Sequence, residues 1–298
     1  MAWRGLHLTS AAKLSLADQQ ICVKQEAGEI RLALEDVAWI VIDTPQTVLS
    51  SALVSACMDA GIAMIFTDER HTPSGIVLPF HRHHRQGAIA RLQIDVKEST
   101  KKRLWQAIVR RKILNQAASL SHFDRKNATT LTEIARHVEA GDPENVEARA
   151  ARFYWGHLFR DFVRDNDNDL RNKMLNYGYA VVRAGVARAL VASGFLPAFG
   201  IKHNGAANAF NLADDIVEPF RPFVDALACK TVGDTDENGD LSLEHRRVMA
   251  GALFLNGHVG NGDVSLLVAA EMAAASLSRA LEFEKPTLLE LPEMEWSS

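Results

Sequence analysis

Hydrophobic and polar residues alternate over most of the first 35 positions of the chain. This period-two pattern is typical of strands that bury one face. The alternating segments are AKLSL (12–16), QQICVKQ (19–25) and EIRLALE (29–35). The next segment, VAWIVID (37–43), is apolar almost throughout and predicts a strand that is covered on both faces.

The spacing becomes helical over residues 47–61, where apolar side chains recur along one side. Thr47 stands at the position of an N-cap and Gly61 at the position of a helix stop. Residues 62–68 return to a strand pattern, and the Pro- and Gly-containing segment 72–79 predicts a turn or linker. We therefore expect a small sheet with one helix.

The remainder of the chain has helical periodicity. The clearest segments are LWQAIVRRKILNQAASL (104–120), VVRAGVARALVASG (181–194) and LLVAAEMAAASLSRALEFE (266–284). The predicted fold class is α+β, with a small β-rich N-terminal domain containing one helix and a larger all-α C-terminal domain. The predicted boundaries are 1–78 for the first domain, 79–87 for a linker and 88–298 for the second.

Composition narrows the class of protein. The 298 residues are 47% hydrophobic and 23% charged, which is ordinary for a globular protein. The three cysteines, Cys22, Cys57 and Cys229, lie far apart, which argues against a disulfide framework or a thiolate metal site. No apolar stretch has the length of a signal peptide or a membrane span, so we expect a soluble cytoplasmic protein.

Charge is distributed unevenly. The net charge is −4, but residues 81–112 contain ten Lys or Arg against Asp95 and Glu98, which gives +8 locally and leaves −12 elsewhere. Such a block attracts phosphates, although a charged run is often only a solvated helix face. The candidate DNA-binding residues are Arg82, Arg85, Lys101, Lys102, Arg103, Arg110, Arg111 and Lys112.

Two other patterns suggest metal sites, and we prefer a simpler reading of each. Residues 234–245 (DTDENGDLSLEH) resemble a calcium loop, but His245 stands where the closing acid belongs, so we interpret them as an exposed loop with Ser242 as the next N-cap. The histidines in residues 81–85 (HRHHR) lie among arginines that repel a dication, so phosphate contact or a solvated linker is favoured.

Three segments combine acids, a histidine and helical periodicity. Glu147 lies early in NVEARAARFYWGHLF (145–159), where it could cap the helix or point into a cleft. His203 stands between glycines in GIKHNG (200–205). Asp215 and Glu218 are three residues apart and so share a helix face, which Arg221 continues. One imidazole with two or three carboxylate oxygens suits Mg²⁺ or Mn²⁺.

These segments, in this order, resemble the CRISPR-associated spacer-acquisition integrase family, most closely its type II members. The motifs that carry the resemblance are VEARAARFY, GIKH and DIVEPFRP, supported by MAWRGLHL, HTPSGIVLP, LWQAIVRRKILNQ and NYGYAVVRAGVARAL. The resemblance spans nearly the whole chain. It implies that Glu147, His203 and Glu218 are catalytic metal ligands, with Asp215 as a neighbouring acid. From its place on the same helix face as Asp215 and Glu218, Arg221 is a supporting residue that could neutralise an acid or contact phosphate.

The resemblance also implies partners and a reaction. Family members form homodimers and assemble with a small partner adaptation protein on double-stranded DNA. The implied reaction is attack by a spacer 3′-OH on a repeat phosphodiester at a Mg²⁺ or Mn²⁺ ion. Two alternatives stay open, namely a metal-dependent nuclease of branched DNA that does not integrate and a non-catalytic helical DNA-binding scaffold. The acidic tail, residues 282–295, is a candidate for partner contact or for simple packing.

Overall fold

The computed structural model describes residues 4–80, 83–123, 127–233 and 239–295. Its N-terminal region contains one helix, α1 (Ser51–Ala60), among strands. The strands are β1 (Arg4–Leu8), β2 (Ala12–Ala17), β3 (Gln20–Gln25), β4 (Gly28–Ala33), β5 (Val37–Ile42), β6 (Thr47–Leu49), β7 (Ala63–Thr67) and β8 (Pro73–Val77). They form two four-stranded sheets, with the orders β1-β5-β7-β8 and β4-β3-β2-β6.

Strand β5 connects the two regions of the molecule. All six of its residues are buried, as the uninterrupted apolar pattern predicted. Ala38, Trp39 and Val41 pack into the hydrophobic core that the helices build. Val37, Ile40 and Ile42 pack instead into the core between the sheets and α1. One face of β5 therefore packs directly against the helical region.

The rest of the chain is mainly helical, which confirms the β-rich then helical organisation. The helices are α2 (Gln86–Asp95), α3 (Glu98–His122), α4 (Ala128–Arg136), α5 (Val146–Leu158), α6 (Leu170–Ala192), α7 (Asn211–Ile216), α8 (Arg221–Val232), α9 (Leu243–Ala250) and α10 (Leu266–Glu282). Helix α6 is buried on most sides and packs against α8, α9 and α10. Helix α3 packs against α4, α5 and α8, so its side chains can reach several elements.

Several local predictions are corrected by the structure. Thr47 begins strand β6, and Ser50 caps α1 by accepting from the Leu53 amide at 3.3 Å. The predicted turn over 72–79 contains β8, which pairs antiparallel with β7. The predicted all-α part contains a hairpin of β9 (Asn256–Val259) and β10 (Gly262–Ser265). The stop at Gly61 is confirmed, because this residue takes the left-handed conformation with φ 71°.

The segment around Glu218 is also not one continuous helix. Helix α7 ends at Ile216, a 3₁₀ turn covers Glu218–Phe220, and α8 begins at Arg221. Pro219 cannot donate the backbone hydrogen bond that a continuous helix needs at this point. The division into domains at 78 and 88 stays a prediction, and helix α2 begins within the proposed linker at Gln86.

A buried carboxylate, Asp43, ties the end of β5 to the helices. Its Oδ2 accepts from Arg246 Nε of α9 at 2.7 Å and contacts His7 Nε2 at 3.0 Å. Its Oδ1 contacts His71 Nδ1 at 2.8 Å and accepts from Thr67 Oγ1 at 3.2 Å. Burial opposes ionisation, but the histidine hydrogen bonds and the Arg246 charge outweigh it and lower the Asp43 pKa below its usual 3.8.

Replacing Asp43 by Asn (D43N) should lower the free energy of unfolding by about 3 kcal/mol near neutral pH, because it leaves Arg246 without its buried anionic partner. The folded-state pKa is depressed, so this stabilisation is present above the unfolded-state value of 3.8 and is lost as the pH falls further. Urea unfolding at several pH values measures the difference. D59N changes an exposed aspartate of α1 and serves as the control. A D43N stability equal to wild type at pH 7 contradicts the role given to Asp43.

Candidate active site

Glu147 occupies the first turn of α5, and another acid caps this helix in its place. Asp142 accepts the Val146 amide at 2.8 Å through Oδ1 and the Glu147 amide at 3.0 Å through Oδ2. The Glu147 carboxylate is thereby free to accept from Lys112 Nζ of α3 at 2.6 Å. Of the two roles that the sequence left open for Glu147, the structure excludes the cap.

Glu218 is buried beside two cations. Its Oε1 accepts from Arg221 Nε at 2.8 Å, and its Oε2 forms an ion pair with the same Lys112 ammonium that contacts Glu147. Burial opposes its ionisation, but Arg221 and Lys112 prevail and lower the Glu218 pKa to about 2. The Lys112 pKa is raised, because the two glutamates outweigh the effect of burial. Glu147 and Glu218 therefore share one cation.

His203 is held by Asp215. The ring Nδ1 lies 2.8 Å from Asp215 Oδ1, and this carboxylate also accepts the backbone amides of Ile201 (2.5 Å), Lys202 (3.1 Å) and His203 (3.1 Å). A Cβ on Gly200 would meet the His203 carbonyl at 2.2 Å, so only glycine allows this loop. Asp215 is fully buried and uses both oxygens within the protein. Its role is to orient the imidazole.

The ligand atoms of Glu147, His203 and Glu218 do not all lie within 4.8 Å of one another. The Glu218 charge contributes to raising the His203 pKa, after the larger effect of the Asp215 hydrogen bond. Trp105 and Lys112, about two turns apart on α3, contact His203 edge-on (5.9 Å between centroids) and the two glutamates respectively. Helix α3 thus faces all three residues.

The donor set matches a hard divalent cation. Two carboxylates and an imidazole are ligands that Mg²⁺ and Mn²⁺ accept, and an ammonium already occupies the position between the carboxylates. Glu218 Oε2 is buried and accepts no well-oriented hydrogen bond from any residue that the structure describes. Within those residues, the cluster of three potential ligands that does lie within 4.8 Å is elsewhere, at His258, Asp263 and Glu295.

Behind Glu218 lies a polar layer that sequence reasoning missed. The Tyr179 hydroxyl donates to Asp225, and burial raises the Asp225 pKa to about 7. The Arg221 guanidinium stacks on the Tyr179 ring at 4.5 Å. A cavity of about 150 Å³ separates Asp225 from Lys112. Tyr179 and Asp225 sit within apolar helical patterns, so periodicity alone could not distinguish them from ordinary core positions.

The candidate DNA-binding residues have different surroundings. Lys101, Lys102 and Arg103 lie partly or fully exposed near the start of α3. The remaining described ones have protein partners: Arg85 pairs with Glu282, Arg110 donates to the Ala135 and Arg136 carbonyls, Arg111 pairs with Glu293, and Lys112 pairs with Glu147 and Glu218. Lys112 therefore belongs to the site and not to an outer surface. Arg82 lies outside the described residues.

The calcium-loop interpretation is settled only at its end. Ser242 caps α9 by accepting the His245 amide at 3.1 Å, as predicted, and Asp240 pairs with Lys173 at 2.9 Å. Asp234, Asp236 and Asn238 lie outside the described residues. No helix in the described part of the chain has the length and apolar character needed to cross a bilayer.

The fold and the site define a two-part α+β protein with a carboxylate and imidazole site suited to a divalent cation. Comparison with known proteins is more specific, because the sequence model of the family described as CRISPR associated protein Cas1 matches residues 6–242. A CRISPR-associated endonuclease Cas1 from Neisseria meningitidis is 36% identical over 295 residues, covering 99% of this chain and 97% of its own. The chain therefore belongs to the Cas1 family, and the resemblance to type II members is confirmed.

More distant relatives share the same fold. A Cas1 endonuclease from Saccharolobus solfataricus is 25% identical over 232 residues, covering 71% of this chain and 69% of its own. A CAS1 protein from Thermotoga maritima superposes with a TM-score of 0.75 at 18% identity, covering 98% of this chain and 100% of its own. A casposase bound to integration product also superposes with 0.75, at 15% identity, covering 96% and 92%.

Replacing Asp215 by Asn (D215N) should lower the His203 pKa, because the Asp215 hydrogen bond is the main cause of its increase. An NMR titration of the His203 ring protons measures this. The raised pKa stabilises the fold below the unfolded-state value of 6.5, and this contribution is lost as the pH rises through the folded-state value. The stability difference between wild type and D215N should therefore narrow on the alkaline side.

The matched control is D214N. Asp214 accepts hydrogen bonds from Arg183 and Asn208. Of the carboxylates that raise the His203 pKa, Asp214 has the smallest effect. D214N should therefore leave the His203 titration nearly unchanged. A His203 titration that is the same in D215N and wild type rules out Asp215 as the orienting residue.

Proposed function

We propose that this protein is a divalent-metal-dependent DNA integrase and endonuclease that inserts spacer DNA into a CRISPR array. The observation that carries the proposal is that Glu147 and Glu218 contact the same ammonium, on a helix that also contacts the oriented His203 through Trp105. Membership of the Cas1 family and the fold shared with an integration-product-bound casposase support the same reaction class.

Glu147, His203 and Glu218 would hold the Mg²⁺ or Mn²⁺ ion. When bound, the ion supplies Lewis-acid stabilisation of the charge that develops on a phosphodiester. Arg221 keeps the Glu218 carboxylate oriented, and Asp215 fixes the imidazole through Nδ1, as carboxylates commonly do for metal-binding histidines.

The chemistry is a transesterification. The oxygen of a spacer 3′-OH forms a new bond to a repeat phosphorus, and the bond from that phosphorus to the neighbouring 3′ oxygen breaks. The attacking hydroxyl loses its proton and the leaving oxygen gains one, so the number of phosphodiester bonds is unchanged and no nucleotide triphosphate is required.

Basic side chains stand next to this site. Lys202 precedes His203 and donates from Nζ to the Gly141 carbonyl at 3.3 Å, while the Gly141 amide donates to the Lys102 carbonyl at 2.9 Å. Gly141 directly precedes Asp142, the cap of the helix that carries Glu147. Lys102 and Lys202 therefore flank the turn at the entrance of the site, where we propose that they contact DNA phosphates.

The proposal extends to assembly. A chain of a solved Cas6-RT-Cas1–Cas2 complex contains this fold, with a TM-score of 0.75 over 99% of this chain and 36% of its own. A chain of a partial Cas6-RT-Cas1–Cas2 complex superposes with a TM-score of 0.61. We propose a homodimer that assembles with a small partner adaptation protein on double-stranded DNA.

Glu147→Gln, His203→Ala and Glu218→Gln should each reduce strand transfer by about 100-fold or more, because each removes a ligand of the reacting phosphodiester's cation. The assay joins a labelled fragment with a free 3′-OH to a supercoiled plasmid carrying a CRISPR repeat. Chelation of divalent ions should abolish the product. Glu144→Gln, an exposed acid three residues before Glu147, is the control and should retain activity.

The same assay separates the alternatives. A structure-specific nuclease would nick branched DNA but would not join the labelled fragment, and a fragment with a 3′-deoxy end would give the same products. A binding scaffold would bind DNA with or without metal and change no DNA. Wild-type strand transfer by Glu218→Gln would refute the assignment of the site.

Replacing Lys102 and Lys202 together by Ala should weaken DNA binding and reduce the slope of log affinity against log salt by about two, because each phosphate contact contributes about 0.9. Fluorescence anisotropy over a salt series measures the slope. Lys24→Ala with Lys230→Ala removes the same charge from exposed positions and should leave the slope unchanged. Equal slopes for both double variants argue against a DNA contact at this entrance.

A further inference from the structure

Lys112 occupies the position that a divalent ion needs. Its side chain is 12% exposed, and its ammonium contacts Glu147 Oε1 and Glu218 Oε2 at once. These are the oxygens that would ligate the ion. An ammonium and a dication repel each other at such distances, so both cannot lie between the two carboxylates.

A place for the displaced ammonium lies beside it. The cavity of about 150 Å³ is lined by Lys112, Gln116 and Asp225, among others. Gln116 follows Lys112 by four residues and so lies on the same side of α3. Gln116 is almost fully buried, yet its Oε1 accepts no hydrogen bond from the residues the structure describes.

Apart from Lys112 and Glu218, the charged groups at the cavity wall are one carboxylate, which can accept several hydrogen bonds, and two guanidiniums. Asp225 accepts the Tyr179 hydroxyl through Oδ1. The two guanidiniums at the wall are bonded elsewhere, Arg221 to Glu218 and Arg164 to Asn172 and Asn176. The unpaired Gln116 Oε1 and the Asp225 carboxylate therefore offer acceptors to one additional donor, and Lys112 is the ammonium at the cavity wall.

We propose that Lys112 is a positioning residue with two docking positions. In the metal-free protein its ammonium bridges Glu147 and Glu218 and offsets the repulsion between their two carboxylates. When a divalent ion is bound, the ammonium moves into the cavity and donates to Gln116 Oε1 and Asp225. This inference rests on the proposed metal site, and it adds a competitor for that site within the chain itself.

Calorimetric titration with Mn²⁺ alone tests the proposal on the full chain. Lys112→Met keeps the length of the side chain but removes the competing charge, so Mn²⁺ should bind about tenfold more tightly than to wild type. Lys112→Arg keeps the charge and should not show this gain. Lys97→Met removes an ammonium that pairs with exposed Glu284 at 2.7 Å, and it should leave the affinity unchanged.

Gln116→Leu tests the second docking position. It removes the acceptor in the cavity, so it should weaken Mn²⁺ binding several-fold when Lys112 is present. In the double variant with Lys112→Met the same change should have no further effect, because no ammonium needs the cavity. This coupling distinguishes docking from a general disturbance of packing.

Thermal unfolding with and without Mn²⁺ provides a second readout. In chelator, Lys112→Met should melt below wild type, because Glu147 and Glu218 face each other without the ammonium. Mn²⁺ should raise its Tm by more than it raises that of wild type. If this variant does not fold, the effect of Gln116→Leu on Mn²⁺ affinity decides by itself.

The outcomes separate this inference from the proposed function. Equal or weaker Mn²⁺ binding by Lys112→Met overturns the role of Lys112 while leaving the metal site intact. An equal effect of Gln116→Leu in both backgrounds overturns the second docking position. No Mn²⁺ binding by wild type or any variant overturns the metal site and, with it, both proposals.

Discussion

The burial of Glu218 is the constraint on which the site depends. A carboxylate taken out of water is tolerated only when cations and hydrogen bonds compensate its charge. Arg221 provides one cation from the next turn of the chain, and Lys112 provides another from a helix more than 100 residues earlier. Helix α3 must therefore pack along the turn between α7 and α8. Because Lys112 also contacts Glu147, the same requirement fixes where α5 begins.

Acidic residues at this site have two kinds of role, and hydrogen bonding separates them. The Asp142 and Asp215 carboxylates accept hydrogen bonds from backbone amides, so they hold Glu147 and His203 in place. Among the described residues, the polar partners of the Glu147 and Glu218 carboxylates are cationic side chains, which in the proposed function give way to a divalent ion. Chemically similar carboxylates thus differ in what surrounds them: backbone amides bind Asp142 and Asp215, whereas cationic side chains face Glu147 and Glu218, the proposed ligands.

The N-terminal sheet contributes to this arrangement from a distance. One face of β5 packs into the helical core and the other into the core beneath α1. Asp43 at the end of this strand binds Arg246 of α9, and His7 contacts Tyr177 of α6 at 3.2 Å. These polar contacts fix the orientation of α6, which carries Tyr179 into the layer behind Glu218. Helix α6 therefore connects the N-terminal sheet to the site.

Local periodicity was sufficient for β2, β3, β4 and β7, for the doubly buried β5 and for the stop at Gly61, because the alternation, the apolar run and the glycine can each be recognised within a few residues. It did not predict β1, and it placed a helix start where β6 lies. The motifs VEARAARFY, GIKH and DIVEPFRP were sufficient for the family. The short strand β8 and the β9–β10 hairpin were not predicted, because strands of four or five residues depend on their pairing partners.

Lys112 shows most clearly what the sequence alone could not determine. In the sequence it is one of ten basic residues in a charged segment, whereas in the fold it lies between two acids 35 and 106 positions away. A charge run specifies where cations are available along the chain. Only tertiary packing decides which cation leaves water, since that depends on the buried carboxylates that the fold brings to it.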